Sequence, residues 1–420
     1  MNPLYNIGIR LYAGGARVAS LRSGKVKTML AGQRQARSDI RSRLRFDERP
    51  VWIHAASLGE FEQARPLIEK LRREQPHRRI LLTFFSPSGY EVRKDYPMVD
   101  AVSYLPFDTP ANARRFISEV NPEMAVFVKY EFWGNYLQQL KTKGIPTYII
   151  SSIFRPGQSF FKPWGGMMRG MLRCFTRLYV QDEVSVRLLN GIGVTNVVRA
   201  GDTRFDRVTD VMRSTFSLPA VEHFLSSSPL KLIVGSSWEP DEDRYVPFLN
   251  AHPEIKAVIA PHEMHGDRLH KLKERFVNGA VLLSELSDDE NKIPDAQVIV
   301  VDSFGKLSSL YRYADIAYVG GGFGTGIHNI NEAAVYSAPV VFGPRFDKFK
   351  EAKDLIALGG AFTYNTPEEL VSILEKFMRD PKALAEAGKA AGKYISDNLG
   401  ATDIIFNDLF LPQNNKNQPK

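Results

Sequence analysis

Cysteine is almost absent. Cys174 stands alone in 420 residues, so no intrachain disulfide can form, which suits a reducing compartment. No apolar run approaches the ~20 residues a membrane-spanning helix needs. The start, Met1-Asn2-Pro3-Leu4-Tyr5, lacks the charged-then-apolar layout of a secretory leader. Histidines and acids show no close metal-ligand spacing, and no metal site is expected. No G-x-G-x-x-G opens a first βα unit and no G-K-[ST] occurs, which argues against dinucleotide and P-loop binding. With 44% hydrophobic and 24% charged residues, wholesale disorder is excluded too. What remains is a globular chain of roughly two or three domains, soluble or held at a surface in the cytoplasm.

Charge is plentiful at one end. Up to Arg49 there are eleven Lys and Arg against three acids, an excess of eight that equals the net charge of the whole chain. A local basic excess indicates a local anionic partner. Leu4, Ile7, Gly8, Leu11, Gly15 and Val18 recur at helical spacing, with Arg10, Arg17 and Arg22 off that stripe. This pattern fits a basic amphipathic helix lying on an anionic membrane, or a helix packed on its own domain with a solvated basic face. Nucleic acid is not expected, because no aromatic residues interleave with the basic ones and no nucleic-acid module follows.

From Val51 to Ala200, and again from Lys231 to Thr363, seven short Ile/Leu/Val-rich runs alternate with amphipathic stretches. Such runs predict parallel strands covered on both faces, hence an α/β fold of two Rossmann-like domains. The expected divisions are a basic segment 1–49, a first domain 50–205, a second domain 206–400 and a tail 401–420 whose end is frayed. The last helical pattern covers about residues 367–399. Ligands of open α/β sheets bind at the carboxyl ends of the strands, so a substrate is expected in a cleft that the two sheets face.

Two segments carry most of the chemistry. In His54-Ala55-Ala56-Ser57-Leu58-Gly59-Glu60 the chain turns from the first strand into a helix. Ser57 and Glu60 have capping-box spacing, while Glu60 is also placed to act as a general base on an acceptor hydroxyl. Gly320-Gly321-Gly322-Phe323-Gly324-Thr325-Gly326-Ile327-His328-Asn329-Ile330-Asn331-Glu332 is a glycine-rich loop ending at an expected N-cap, Asn329. Its amides and the helix start suit a phosphate, and Glu332 suits a ribose diol. Glu131 reads as a loop acid, Arg204 as a partner of Asp202 or Asp206, His54 as a core histidine and Cys174 as a packing residue of a helix. His262 and Glu263 end a strand on the ligand side.

Five motifs in order then resemble the 3-deoxy-D-manno-octulosonic acid (Kdo) transferases. They are Ser57-Leu58-Gly59-Glu60, Tyr130-Glu131-Phe132-Trp133, Gly201-Asp202-Thr203-Arg204-Phe205-Asp206, Gly235-Ser236-Ser237-Trp238 and Gly326-Ile327-His328-Asn329-Ile330-Asn331-Glu332. The resemblance implies a GT-B glycosyltransferase that moves Kdo from CMP-Kdo to a lipid A precursor, inverting and without metal or cofactor, at the cytoplasmic face of the inner membrane. It makes Glu60 the base, and Glu131 and Arg204 stabilisers of transition-state charge. It assigns Ser57, Gly59, Ser236, Pro261, His262, Phe304, Gly305, Lys306, Gly322, Gly326, Asn329, Ile330, Asn331 and Glu332 to substrate or CMP binding. Two positions depart from the family pattern: His262 stands where arginine is usual, and Arg204 where lysine is. Another GT-B transferase, or an epimerase, acting on a UDP-sugar is the alternative.

Overall fold

In the computed structural model, residues 3–45, 47–213, 217–286 and 295–411 are described. The chain forms two compact units, one running through Arg207 and resuming at Leu399, the other Val208–Asn398.

The first unit holds strands β1 (Val51–Ala55), β2 (Ile80–Phe84), β3 (Ala101–Tyr104), β4 (Met124–Val128), β5 (Thr147–Ser152), β6 (Arg177–Val180) and β7 (Val197–Arg199). They pair in the order β3-β2-β1-β4-β5-β6-β7, every pair parallel. The central strands β1, β2 and β4 are buried along their whole length, which is why their sequences are nearly continuous in apolar residues. One face packs Trp52 and Phe127 against Phe116 and Tyr136. The other packs Ile53 and Leu82 against Phe61, Leu67 and Leu71 of the helix Leu58–Glu74. Those residues recur every three or four positions and form one apolar stripe.

The second unit repeats the plan with β8 (Lys231–Ser237), β9 (Lys256–Pro261), β10 (Ala280–Leu282), β11 (Val298–Val300), β12 (Ile316–Val319), β13 (Val340–Phe342) and β14 (Ala361–Thr363). Their order is β10-β11-β9-β8-β12-β13-β14. Strand order therefore reverses between β1 and β4 in one sheet and between β8 and β12 in the other. At such a reversal the loops diverge to opposite faces and leave a crevice at the strands' carboxyl ends.

Several expectations need correction. The basic start is two helices, α1 (Pro3–Ala19) and α2 (Gly24–Arg43), with the Ser23 side chain accepting from the Val26 amide. It is no separate segment. Helix α2 lies against β3, where the Ser103 hydroxyl donates to the Ala36 carbonyl, and a Cβ on Gly32 would stand 2.2 Å from the Tyr104 ring. Helix α1 packs through Tyr5, Ala13 and Ala16. Its predicted apolar stripe is left in the open: Leu4, Ile7, Leu11 and Val18 are 52–73% exposed. Between the two series of strands the chain forms the helices Arg204–Met212 and Pro219–Leu225, with no strand among the described residues there. The last helical pattern is two helices, Pro367–Arg379 and Pro381–Asp397, because Asp380 caps the second and Pro381 cannot continue the first. The tail begins as a helix, Ala401–Phe410, that buries Ile405, Phe406, Leu409 and Phe410 on the first unit at about 1.5–3 kcal/mol for each side chain. The expected fraying of 412–420 lies outside the described residues. Cys174 falls just beyond the helix Gly166–Leu172, and burial pushes its thiol up. Among the described residues no helix is long and apolar enough to cross a membrane.

Candidate active site

The β1 loop and the β4 loop meet at the first unit's strand reversal. Ser57 precedes the helix Leu58–Glu74 with extended backbone, but its side chain caps no amide. Its hydroxyl donates instead to Glu60 Oε2, so the capping-box expectation fails here. Glu60 is thus oriented by a side chain beside it, and its carboxylate is not taken up by helix-start amides.

Glu131 is no solvated loop acid. Its side chain is 14% exposed, and Oε2 accepts from Trp133 Nε1 at 2.6 Å and lies 3.3 Å from His54 Nε2. His54 is fully buried, and its Nδ1 lies 2.9 Å from Thr83 Oγ1 and 3.1 Å from Thr83 O. Trp52 Nε1 donates to the same Thr83 hydroxyl at 2.8 Å. The histidine is therefore one link in a chain from the sheet interior to an acid at its edge. Sequence reasoning treated it as packing, since its partner lies 77 residues away.

Arg204 does pair with Asp202. Nε and a terminal nitrogen reach Asp202 Oδ2 at 2.9 and 2.8 Å, and the Arg204 amide reaches Oδ1 at 3.0 Å. Burial alone raises the Asp202 carboxyl, but the Arg204 guanidinium and amide, with Gln63, hold it below its usual value. This two-pronged grip fixes the guanidinium. Asp206 is engaged elsewhere, accepting from the amides of Gly400 and Thr402 at 2.7 Å each.

In the second unit, Ser236, Pro261, His262, Phe304 and Gly305 line one cavity of about 240 Å³. Lys306 and the glycine-rich loop do not line it. Trp238 stacks on His262 with ring centroids 4.2 Å apart, and His262 stacks on His328 at 4.8 Å. Burial and the neighbouring His262 lower the proton affinity of His328. Asp241, buried at 1% exposure, fastens this platform: Oδ2 accepts from the Trp238 amide at 2.9 Å and the Gly321 amide at 3.0 Å, and Oδ1 from Tyr318 at 2.9 Å. Gly321 has φ +94°, and a Cβ on Gly320 would lie 2.4 Å from the Ser236 carbonyl, so the loop runs hard against β8. Trp238, His328 and Asp241 were not among the predicted site residues. The first two lie inside quoted motifs; Asp241 left no local signal.

The expected helix start at Asn329 is also corrected. The helix is a single turn, Asn331–Ala334, too short to supply an appreciable dipole. Asn329 Oδ1 accepts from the Asn331 amide, and its Nδ2 donates to Glu332 Oε1 at 3.0 Å. Ser308 donates to Glu332 Oε2, tying the loop to the segment after Lys306. Ile330 and Asn331 are fully buried, and both polar atoms of the Asn331 side chain lack partners. Gly322 is buried, while Gly59 is exposed. Among the described residues no three His, Cys, Asp or Glu side chains gather as a metal site.

Comparison with known proteins agrees with this layout. The profile of the family described as 3-Deoxy-D-manno-octulosonic-acid transferase (kdotransferase) matches residues 27–207. The chain is similar to the 3-deoxy-D-manno-octulosonic acid transferase of Rickettsia conorii, 26% identical over 388 residues, covering 86% of this chain and 78% of the relative. It is likewise similar to the enzyme of that name from Haemophilus influenzae, 27% identical over 384 residues, covering 87% and 88%. A solved UDP-GlcNAc 2-epimerase from Neisseria meningitidis matches with TM-score 0.59 at 14% identity, covering 86% of this chain and 99% of that one. That likeness shows the fold, an α/β fold of GT-B type built on two Rossmann-like units. The five motifs, the profile match over residues 27–207 and these relatives agree, and they make the chain similar to the Kdo transferases, a family of glycosyltransferases.

Proposed function

We propose that the chain moves Kdo from CMP-Kdo to a sugar hydroxyl of a tetraacyl lipid A precursor, inverting the anomeric centre without a metal ion or cofactor. Glu60 takes the hydroxyl proton as the new carbon–oxygen bond forms at the anomeric carbon. The bond to the phosphate oxygen breaks, and CMP departs as the anion. General base catalysis of this kind contributes about 10²–10⁴-fold. Glu131, held by Trp133 and His54, faces positive charge developing on the sugar, and Arg204 faces the negative charge of the leaving group. The stacked Trp238 and His262 offer a flat surface to the cytosine or an imidazole N–H to the phosphate. Glu332 accepts from the ribose diol. The exposed stripe of α1 supports a position at the cytoplasmic face of the inner membrane, where such an acceptor resides.

The observation that carries this reading is the Ser57–Glu60 contact at the strand reversal, which leaves a carboxylate oriented and uncommitted to capping. Glu60→Gln keeps the shape and the Ser57 contact. With CMP-Kdo and a tetraacyl disaccharide, mass-resolved turnover should fall at least about a hundredfold. CMP affinity should stay within about threefold, and CMP, not UDP, should compete with donor. Near-normal turnover removes Glu60 from the role of base.

A further inference from the structure

A second cavity lies apart from these groups. It is a groove of about 550 Å³ on the first unit, between α2 and the helix Pro110–Val120, within the range of about 300–1,000 Å³ usual for small-molecule sites. Its rim is basic: six arginines line it against one acid, Glu119. Arg37 pairs with Glu119 at 2.7 Å, and Arg41 lies 3.7 Å from it. Arg17, Arg34 and Arg115 have no acidic partner among the described residues. Its floor is apolar, formed by Leu44, Phe107, Phe116 and Val120. One more group is unmatched. Gln33, which lines the groove, has a buried Nε2 with no acceptor.

A site with unpaired guanidinium groups above an apolar floor has two requirements. Fixed positive charge calls for an anion, and arginine's fork matches phosphate oxygens. The floor calls for hydrocarbon, which a free phosphate or a sugar phosphate does not supply. A nucleic acid would meet the charge but finds no open aromatic face for stacking, since Phe107 and Phe116 are buried at 8% and 6% exposure. Charge complementarity and the apolar lining together select one occupant. We propose that this groove binds a single anionic phospholipid, its phosphate held by Arg17, Arg34 and Arg115 and its acyl chain laid along the floor. The site is distinct from the exposed stripe of α1, and it does not rest on the proposed reaction.

The test is calorimetric titration of the full chain with dihexanoyl phosphatidylglycerol below its micelle concentration. Saturable binding at least tenfold tighter than that of dihexanoyl phosphatidylcholine or glycerol phosphate is expected. Reversing two exposed charges, Arg34→Glu with Arg115→Glu, should weaken it at least tenfold, and the neutral pair Arg34→Gln with Arg115→Gln should fall between. Equal affinity for both head groups overturns the proposal. So does glycerol phosphate or inorganic phosphate binding as tightly as the lipid, which marks an anion site only. Unchanged binding in the charge-reversed chain, with its circular dichroism intact, overturns it as well. Glycosyl transfer plays no part in the readout, so failure here leaves the proposed function standing.

Discussion

Asp241 decides whether the platform of the second unit holds its shape. In Asp241→Ala, the amides of Gly321 and Trp238 and the hydroxyl of Tyr318 all lose an acceptor. Tyr318 keeps its bond to Tyr364 at 2.7 Å, so its loss is small. The Gly321 amide is buried and the Trp238 amide partly so. A buried donor left without an acceptor costs about 1–3 kcal/mol, which puts the two together at about 2–4 kcal/mol. For a unit the size of Val208–Asn398 that is roughly 5–15 °C in melting temperature. Asp241→Asn behaves differently. Its oxygen can take both amides while its amide nitrogen donates to the Tyr318 hydroxyl, so the cost falls to about 1 kcal/mol. CMP affinity should follow the same order, dropping about tenfold in the alanine variant and about threefold or less in the asparagine one. The assay is thermal unfolding with hydrogen exchange read at the Gly321 amide, plus a CMP titration. An alanine variant that melts within 2 °C of the parent, or an asparagine variant as damaged as the alanine one, refutes the argument.

Three further outcomes follow from the geometry. Burial and His262 lower the proton affinity of His328, so the folded state binds fewer protons there than the unfolded chain. That contribution to stability is full above about pH 6.5 and is lost as pH falls below it. A bound phosphate pulls the other way, so CMP affinity should rise as pH drops from 8 toward 6, and His328→Asn should flatten the profile. Tyr5 donates to Asp108 at 2.6 Å and accepts from the Gly134 amide at 3.0 Å, and burial raises the Asp108 carboxyl to about 6. Tyr5→Phe should cost about 1–3 kcal/mol and speed hydrogen exchange throughout α1, whereas unchanged exchange would show that α1 is held by other contacts. Ile7→Ser with Leu11→Ser should lower pelleting with anionic liposomes at least tenfold, and undiminished pelleting would refute membrane docking by that stripe.

The strands were legible because parallel strands buried on both faces must be apolar throughout, and β1, β2 and β4 are. Pro381 marked the break in the last helical pattern, yet the amphipathic period ran on through it and hid the division. The site was legible only as spacing. Ser57 and Glu60, three residues apart, suit a capping box or a hydroxyl–carboxylate pair equally, and side-chain orientation alone separates them. Asn329 looked like an N-cap because glycines preceded it, but the chain beyond makes just one helical turn. The interactions of His54 with Glu131 and of Asp241 with Gly321 span 77 and 80 residues. Such contacts are created by strand order, and no local pattern announces them.

Strand order also sorts the charge. Where the first sheet reverses, the loops present two carboxylates, Glu60 and Glu131. Where the second reverses, they present Trp238 and two stacked imidazoles, and the nearby Asp241 is consumed by three donors. In the proposed transfer, opposite requirements would account for that separation. A base must stay ionised to accept a proton, and a bound phosphate beside it would raise its pKa and leave it protonated. An anion site in turn must keep carboxylates away or fully engaged, as Ser308 and Asn329 engage Glu332. A binding protein for a nucleotide alone would have no use for the oriented acid in the first unit, and a hydrolase acting on a neutral sugar would have none for the stacked aromatic platform in the second. A group transfer that needs both a proton acceptor and a stabilised anionic leaving group uses each of them.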